Sequence, residues 1–139
     1  RSGDPWSGHM GLPGGRRAGI DVDLLATAIR ETREEVGLVL DPIQLLGQLD
    51  DVAPLTRIRP SIFARPFVFA ADGNPLLTPN SEVSGAFWLP LTRLQDPATY
   101  RDVDLEIAGV RRTVPAYQSE AGTIWGMTER VITSVLEII

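Results

Sequence analysis

The stretch Arg30-Glu31-Thr32-Arg33-Glu34-Glu35-Val36-Gly37-Leu38 decides how this chain folds and which chemistry it can carry. Its three glutamates stand at positions i, i+3 and i+4, which places them along one side of a helix, within reach of each other. Carboxylates so close repel and raise each other's pKa unless a cation joins them. A divalent metal ion is the simplest reason to gather them. The alternative is a solvated amphipathic helix with incidental acids.

The residues before this stretch predict the helix and a loop beside it. Leu25, Ala28, Ile29, Thr32 and Val36 recur at helical spacing and form one apolar stripe. Asp21 or Asp23, upstream of the stripe, is a fair N-cap. Gly37, after the stripe, is a plausible end of the helix. Further upstream, Pro13-Gly14-Gly15 can bring backbone close to a ligand.

The rest of the chain mixes strand and helix patterns, which predicts an α/β or α+β fold. Apolar runs predict strands at Ile43–Leu49, Ser61–Ala70 and Ala86–Leu89. A short helical turn at Leu91–Leu94, a hairpin around Ala108–Gly109 within 104–117, and a helix at 127–139 capped by Thr128 complete the set. Trp88 and Trp125 lie within apolar runs and are expected in the core.

Composition narrows the class of protein. The 139 residues predict one domain, residues 1–139, and 43% hydrophobic residues suffice for a packed core. With a formal net charge of -5 and no long basic run, tight binding to nucleic acid by bulk charge is not expected. The lack of cysteine excludes disulfides, thiolate metal sites and cysteine nucleophiles. No apolar stretch approaches the ~18 residues of a membrane span, and no signal-peptide pattern opens the chain, so the cytoplasm is the default compartment.

The glutamate stretch resembles the box of the Nudix hydrolases, G-x5-E-x7-R-E-U-x-E-E-x-G-U, where U is a bulky aliphatic residue. Arg30-Glu31, Glu34-Glu35, Gly37 and Leu38 match its second half, and Pro13-Gly14-Gly15 resembles its start. Between Gly15 and Arg30 the chain has one residue more than the box. The first acid of the box would fall at Val22, so Asp21 or Asp23 takes its place.

Other segments are most similar to the coenzyme A pyrophosphatase branch of that family. They include Gly8–Gly15, where His9 and Leu12 replace the branch's usual Gln and Phe, and Phe87-Trp88-Leu89-Pro90. The resemblance implies an α/β/α sandwich with a mixed sheet. At least one strand of that sheet precedes the position of Arg1 in the family, so we expect it to be missing from this chain.

The resemblance also implies roles for individual residues. It implies Mg²⁺ or Mn²⁺ held by Glu31, Glu34 and Glu35 with the backbone carbonyl of Gly15, and Arg30 orienting Glu31. A further carboxylate from a loop serves as an extra ligand or base; Glu82 is the first candidate and Glu120 a weaker one. Phosphate contacts by Arg16 and Arg17 and base stacking by Trp6 compete with ordinary surface and packing roles. His9, the only histidine, is expected in a turn or packing role, since no G-x-S-x-G pattern accompanies it.

The function implied is metal-dependent hydrolysis of a small-molecule diphosphate linked to a nucleoside, with coenzyme A or a derivative as first substrate. Nucleotide sugars, dinucleotides and nucleoside triphosphates remain open. A different class, a nucleotide-binding regulatory domain without turnover, is disfavoured by retention of all three box acids. An isomerase of the isopentenyl diphosphate type would need a cysteine. No nucleic-acid or membrane partner is expected, and a homodimer is compatible with the resemblance.

Overall fold

The computed structural model describes residues 10–53 and 63–139 of the chain. Predictions that concern Trp6, His9 or residues 61–62 lie outside this part. Its helices and strands, in chain order, are α1 (Leu24–Val36), β1 (Leu45–Gln48), β2 (Phe67–Phe69), α2 (Leu91–Leu94), β3 (Tyr100–Ile107), β4 (Val110–Ser119), β5 (Gly122–Ile124) and α3 (Gly126–Ile138). The α+β class is therefore confirmed.

Helix α1 forms where the apolar periodicity predicted it. Asp23 is its N-cap, and its side chain accepts a hydrogen bond of 2.8 Å from the backbone N–H of Ala26. Gly37 ends the helix in the left-handed region at φ 72° and donates its N–H to the Arg33 carbonyl. A side chain would be strained at that φ, so glycine is the residue suited to this position.

Strands β1 and β2 form a small antiparallel pair that is shorter than the apolar runs predicted. Leu45 pairs with Phe69 and Gln48 with Phe67. The residues just before β1 form a 3₁₀ turn instead of strand, because Asp41 and Gln44 cap each other's backbone N–H groups in a capping box. Pro66 stands before β2, where its missing N–H costs no ladder bond.

Strands β3, β4 and β5 form a second antiparallel sheet. The predicted hairpin is confirmed, since Ile107 pairs with Val110 across a turn at Ala108 and Gly109. Both turn residues have positive φ, at 52° and 78°. Such a two-residue turn matches the twist of the flanking strands.

A compact apolar cluster lies between this sheet and the helices beside it. Its buried members are Leu94, Tyr117, Ile124 and Ile132. The helix α3 that completes it was predicted from its periodicity, but Thr128 is not its cap. The N-cap is Trp125, which makes no side-chain capping bond, and the helix starts at Gly126. The prediction missed this start because the chain enters α3 directly from β5, without a loop to carry a capping side chain.

The strand predicted at Ala86–Leu89 is wrong, as is the core position predicted for Trp88. These residues form no strand. Trp88 is 43% exposed, and its indole N–H donates a 2.9 Å hydrogen bond to the Pro75 carbonyl. That hydrogen bond holds the segment in place through one side chain, without the backbone hydrogen bonds of a β-ladder. A run of apolar residues in the sequence does not distinguish these two arrangements.

The described residues divide into two compact units. One comprises residues 12–50 and 65–88, and the other comprises residues 10–11, 51–53, 63–64 and 89–139. Every strand pairing described is antiparallel, whereas the resemblance implied a mixed sheet. A single domain over residues 1–139 and the layered sandwich stay predictions. In the part described, no helix has the length and apolar character needed to cross a membrane.

Candidate active site

The three glutamates of α1 lie in the first unit and differ in their surroundings. Glu31 and Glu35 are partly buried, whereas the Glu34 side chain is 48% exposed. This difference follows from the helix, because Glu31 and Glu35 are one turn apart and border the buried stripe, which ends at Val36.

The backbone at Gly15 lies directly against the carboxylate of Glu31. A Cβ placed on Gly15 would stand 2.5 Å from the Glu31 Cδ and 2.7 and 2.8 Å from its two oxygens. Any other residue at 15 would therefore displace the carboxylate. The loop predicted to bring backbone close to a ligand thus lies next to one of the acids predicted to bind it.

The neighbouring Gly14 contacts the second acid. Its backbone N–H donates a 3.0 Å hydrogen bond to Oε1 of Glu35. Burial nevertheless raises the pKa of Glu35, and the nearby carboxylates of Glu31 and Glu82 raise it further, against the opposing effect of the Gly14 N–H. Two neighbouring carboxylates therefore act on Glu35 in the first unit.

Arg30 connects two acids of helix α1 with the loop before the helix. Its guanidinium donates 3.0 Å hydrogen bonds to Oε1 of Glu31 and Oε2 of Glu34, and one of 3.3 Å to the Arg16 carbonyl. The same group pairs with both oxygens of Asp21, at 2.9 and 3.0 Å. The role expected for Arg30, orienting Glu31, stays a prediction, and the bond to Oε1 of Glu31 is the contact that it requires.

Asp21 is a structural residue whose role the sequence left open. It is buried and accepts further hydrogen bonds from the Ala18 N–H at 2.8 Å and the Thr27 hydroxyl at 2.9 Å. Its pKa lies well below the usual range, chiefly because Arg30 donates to it. Of the two acids considered for the first box position, Asp21 therefore binds Arg30, and Asp23 caps the helix. Their spacing to Arg30 pointed to the pair without choosing between them.

The two loop carboxylates considered as extra ligand or base have different neighbours. Glu82 lies in the first unit, where its charge acts on Glu35. Glu120 lies in the second unit and forms a 2.6 Å ion pair with Arg93.

Arg16 and Arg17 are exposed residues of the loop before α1. Arg17 uses its guanidinium to hold that loop, with hydrogen bonds to the carbonyls of Asp21 at 3.1 Å and Val22 at 3.3 Å. The structure thus gives Arg17 a structural contact that its surface exposure alone did not predict. Trp6, the third residue predicted to contact substrate, lies outside the described residues.

Comparison with known proteins agrees with this arrangement of loop and acidic helix. The NUDIX domain family matches residues 1–107, which is more than half of the chain. The chain belongs to the Nudix family. Enzymes of this family generally use divalent metal ions.

Named relatives extend the similarity beyond the Nudix domain match. The uncharacterized Nudix hydrolases NudL of Yersinia pestis (strain Pestoides F) and of Yersinia pseudotuberculosis (serotype O:1b) are each 31% identical to it over 127 residues. The alignment covers 91% of this chain and 62% of each relative. The chain thus spans less than two thirds of these Nudix proteins, and their names give no substrate.

The acids of this Nudix domain have the chemistry that suits a hard divalent cation, and Arg30 holds two of them. Carboxylate oxygens are the ligands that Mg²⁺ and Mn²⁺ prefer, and the lack of a Cβ at Gly15 lets the Glu31 carboxylate lie against the backbone whose carbonyl is the further ligand expected. However, within residues 10–53 and 63–139 no group of three acidic or histidine side chains is arranged to hold a metal ion. Arg30 explains part of this, because its guanidinium binds Oε1 of Glu31 and Oε2 of Glu34, each at 3.0 Å. Glu31 and Glu35 fit the cation by their chemistry, whereas Glu34, and the Glu31 oxygen that Arg30 binds, would have to leave the guanidinium to become ligands.

Proposed function

We propose that this Nudix domain hydrolyses a diphosphate linkage in a nucleoside-diphosphate-linked compound, with a divalent metal ion. The observation that carries the proposal is the contact of the Gly14-Gly15 backbone with the carboxylates of Glu35 and Glu31. A diphosphate repels an anionic nucleophile, so positive charge must be supplied around it. Two half-buried acids beside a glycine loop are suited to hold that charge.

Individual residues take distinct parts in the proposal. Glu31, Glu35 and the Gly15 backbone would hold Mg²⁺ or Mn²⁺, with Glu34 as a further ligand once released from Arg30. When bound, the ion lowers the pKa of water and screens the phosphates. Arg30 keeps the Glu31 carboxylate in place through a charge-assisted hydrogen bond.

The loop carboxylate and the surface arginine complete the proposed machinery. Glu82, whose charge already acts on Glu35, would serve as an additional ligand or as the base that takes a proton from water. Arg16 is exposed beside the glycines and is suited to contact phosphate oxygens. Arg17 is the weaker candidate for that contact, because its guanidinium is bonded to backbone carbonyls.

Coenzyme A or one of its derivatives is the first substrate to test, on the likeness of Gly8–Gly15 to that branch of the family. Nucleotide sugars, dinucleotides and nucleoside triphosphates belong in the same panel. A binding domain without turnover is the second candidate. The ion pair between Glu34 and Arg30 favours this second candidate, because Glu34 is then not available as a metal ligand. The cytoplasm stays the predicted compartment, and a homodimer stays a prediction as well.

A substrate panel separates hydrolysis from binding alone. The chain is incubated with each compound and Mg²⁺ or Mn²⁺, and released phosphate is measured after coupling to a phosphatase. Glu35→Gln should lower turnover by more than the roughly 10- to 100-fold that loss of an outer-shell partner costs, because a ligand itself is lost. Glu137→Gln, an exposed glutamate at the end of α3, is the matched control and should leave turnover unchanged.

Two results would contradict the proposal. Undiminished turnover in Glu35→Gln would remove this acid from the machinery. Binding of a nucleotide by the unmodified chain without hydrolysis of any compound in the panel would favour the regulatory domain.

A further inference from the structure

Residues 78–83, which we call the clasp segment, are fastened to the end of helix α1. The backbone N–H of Thr78 donates to the Val36 carbonyl at 2.7 Å, and that of Asn80 donates to the Glu35 carbonyl at 2.9 Å. The last carbonyls of a helix lack partners within it, so these two bonds satisfy groups that would otherwise need water. The clasp segment therefore packs where the acidic helix ends.

Gly37 allows the clasp segment to approach so closely. A Cβ on Gly37 would stand 3.1 Å from the Cβ of Thr78, which is tighter than an ordinary contact. The glycine that ends the helix thus also makes room for the segment. Its position in the box has a packing consequence that the sequence pattern alone did not state.

Asn80 connects this attachment to the turn that carries Glu82. Its side-chain Oδ1 accepts a 3.0 Å hydrogen bond from the Glu82 N–H, and its carbonyl accepts a 3.3 Å bond from the Val83 N–H. An asparagine that bonds the N–H two residues later fixes a turn by itself. One residue therefore binds the backbone of Glu35 and fixes the backbone turn at Glu82.

From these contacts we infer that Asn80 is a positioning residue that holds Glu82 beside Glu35 for the hydrolysis. The inference rests on the proposed function, since it assigns no chemistry to Asn80 itself. Without the Oδ1 acceptor, the turn loses the bond that orients Glu82, while both backbone bonds to the helix remain possible. The variant should therefore lose the metal binding or catalysis that depends on Glu82, while the fold of the unit is retained.

The test compares three variants of the full chain: Asn80→Ala, Glu82→Gln and the double variant. Affinity for Mn²⁺ is measured by electron paramagnetic resonance, and kcat is measured with whichever compound of the panel is hydrolysed. Asn80→Ala should show the same defect as Glu82→Gln, roughly tenfold, in affinity or in kcat. The double variant should be no worse than Glu82→Gln alone, because Asn80 acts through Glu82.

Two further variants separate positioning from general stability. Asn80→Ser can accept the same hydrogen bond without adding a charge beside Glu35, and it should keep most of the function that Asn80→Ala loses. Asn74→Ala, at an exposed asparagine of another loop in the same unit, should behave as the unmodified chain.

The outcomes distinguish this inference from the proposed function. Additive defects in the double variant, a normal Asn80→Ala, or a normal Glu82→Gln would each overturn the positioning role while the unmodified chain still binds Mn²⁺. If the unmodified chain neither binds Mn²⁺ nor hydrolyses any compound, the proposed function fails, and the role of Asn80 fails with it.

Discussion

At the scale of single residues, Arg30 links several of the described residues of the site by hydrogen bonds. It contacts two acids of the helix and, through Asp21, the loop before it. Burying a carboxylate is costly unless a cation and hydrogen-bond donors compensate it, and Asp21 has both. We infer that Asp21 sets the position of Arg30, and that Arg30 in turn sets the position of Glu31.

This pairing predicts a pH-dependent loss of stability in Asp21→Asn. Because the pKa of Asp21 is depressed in the folded state, its contribution is present above the unfolded value of about 3.9 and disappears as pH falls through the folded value. The variant should unfold at a lower temperature than the unmodified chain at pH 7, and the gap should narrow only below about pH 4. Thermal unfolding followed by circular dichroism measures both.

The matched control for this prediction is Asp72→Asn, at an exposed aspartate in a turn of the same unit. It should unfold at nearly the temperature of the unmodified chain. Equal unfolding temperatures for Asp21→Asn and Asp72→Asn at pH 7 would show that the contact with Arg30 contributes nothing to stability.

At the scale of elements, a polar cluster around the buried Glu129 joins β3, β4 and α3 in the second unit. Glu129 of α3 is 5% exposed and accepts hydrogen bonds from the Tyr100 hydroxyl at 3.0 Å and the Thr133 hydroxyl at 2.7 Å. Because the Thr133 hydroxyl donates its hydrogen to Glu129, it can only accept from Tyr117. The Tyr117 hydroxyl is therefore the donor of the 2.6 Å hydrogen bond between them. Burial and the adjacent carboxylate raise the pKa of Tyr100 to about 12.

This cluster predicts that Tyr100→Phe destabilises the second unit. Removing the donor leaves the buried carboxylate of Glu129 short of a partner, which costs about 1–3 kcal/mol. The lower end applies, because Tyr100 is 41% exposed and water can approach. Urea unfolding at pH 7 measures the loss. Tyr117→Phe removes a bond to Thr133 but none to Glu129, so it should cost less.

The raised pKa of Tyr100 fixes the pH range of the effect. A tyrosine whose folded pKa exceeds its unfolded value of about 10 contributes stability fully below that value and loses it as pH rises toward the folded pKa. The difference between Tyr100→Phe and the unmodified chain should therefore shrink between pH 10 and pH 12. A difference that is constant across this range would contradict the bond to Glu129.

At the scale of the whole molecule, sequence patterns predicted those features that depend on residues close together in the chain. Helix α1, its glycine end and the hairpin at Ala108–Gly109 follow from periodicity and turn chemistry, and the structure has them. The acids of α1 and the glycines of the loop were found by spacing. Contacts between distant residues were not predictable in this way, because nothing in the sequence marks Pro75 as the partner of Trp88 or Glu35 as the partner of Asn80.

The Nudix match covers residues 1–107, and the relatives are longer than this chain. Identifying the substrate therefore requires tests with this chain itself. The central claim concerns a narrower place, the contact between the Gly15 backbone and the Glu31 carboxylate. An alanine at 15 would displace a flexible side chain rather than backbone, so it should impair metal binding much more than stability.

The most direct measurement is a Mn²⁺ titration, followed by electron paramagnetic resonance, of the unmodified chain, Gly15→Ala and Gly19→Ala. Gly19 lies in the same loop with nothing within 4 Å of an added Cβ, so its variant is the control. We expect Mn²⁺ to bind the unmodified chain and Gly19→Ala alike, and Gly15→Ala at least about tenfold more weakly with its unfolding temperature nearly unchanged. Equal affinity in all three, or no binding by the unmodified chain, would contradict a metal site at Gly15 and Glu31.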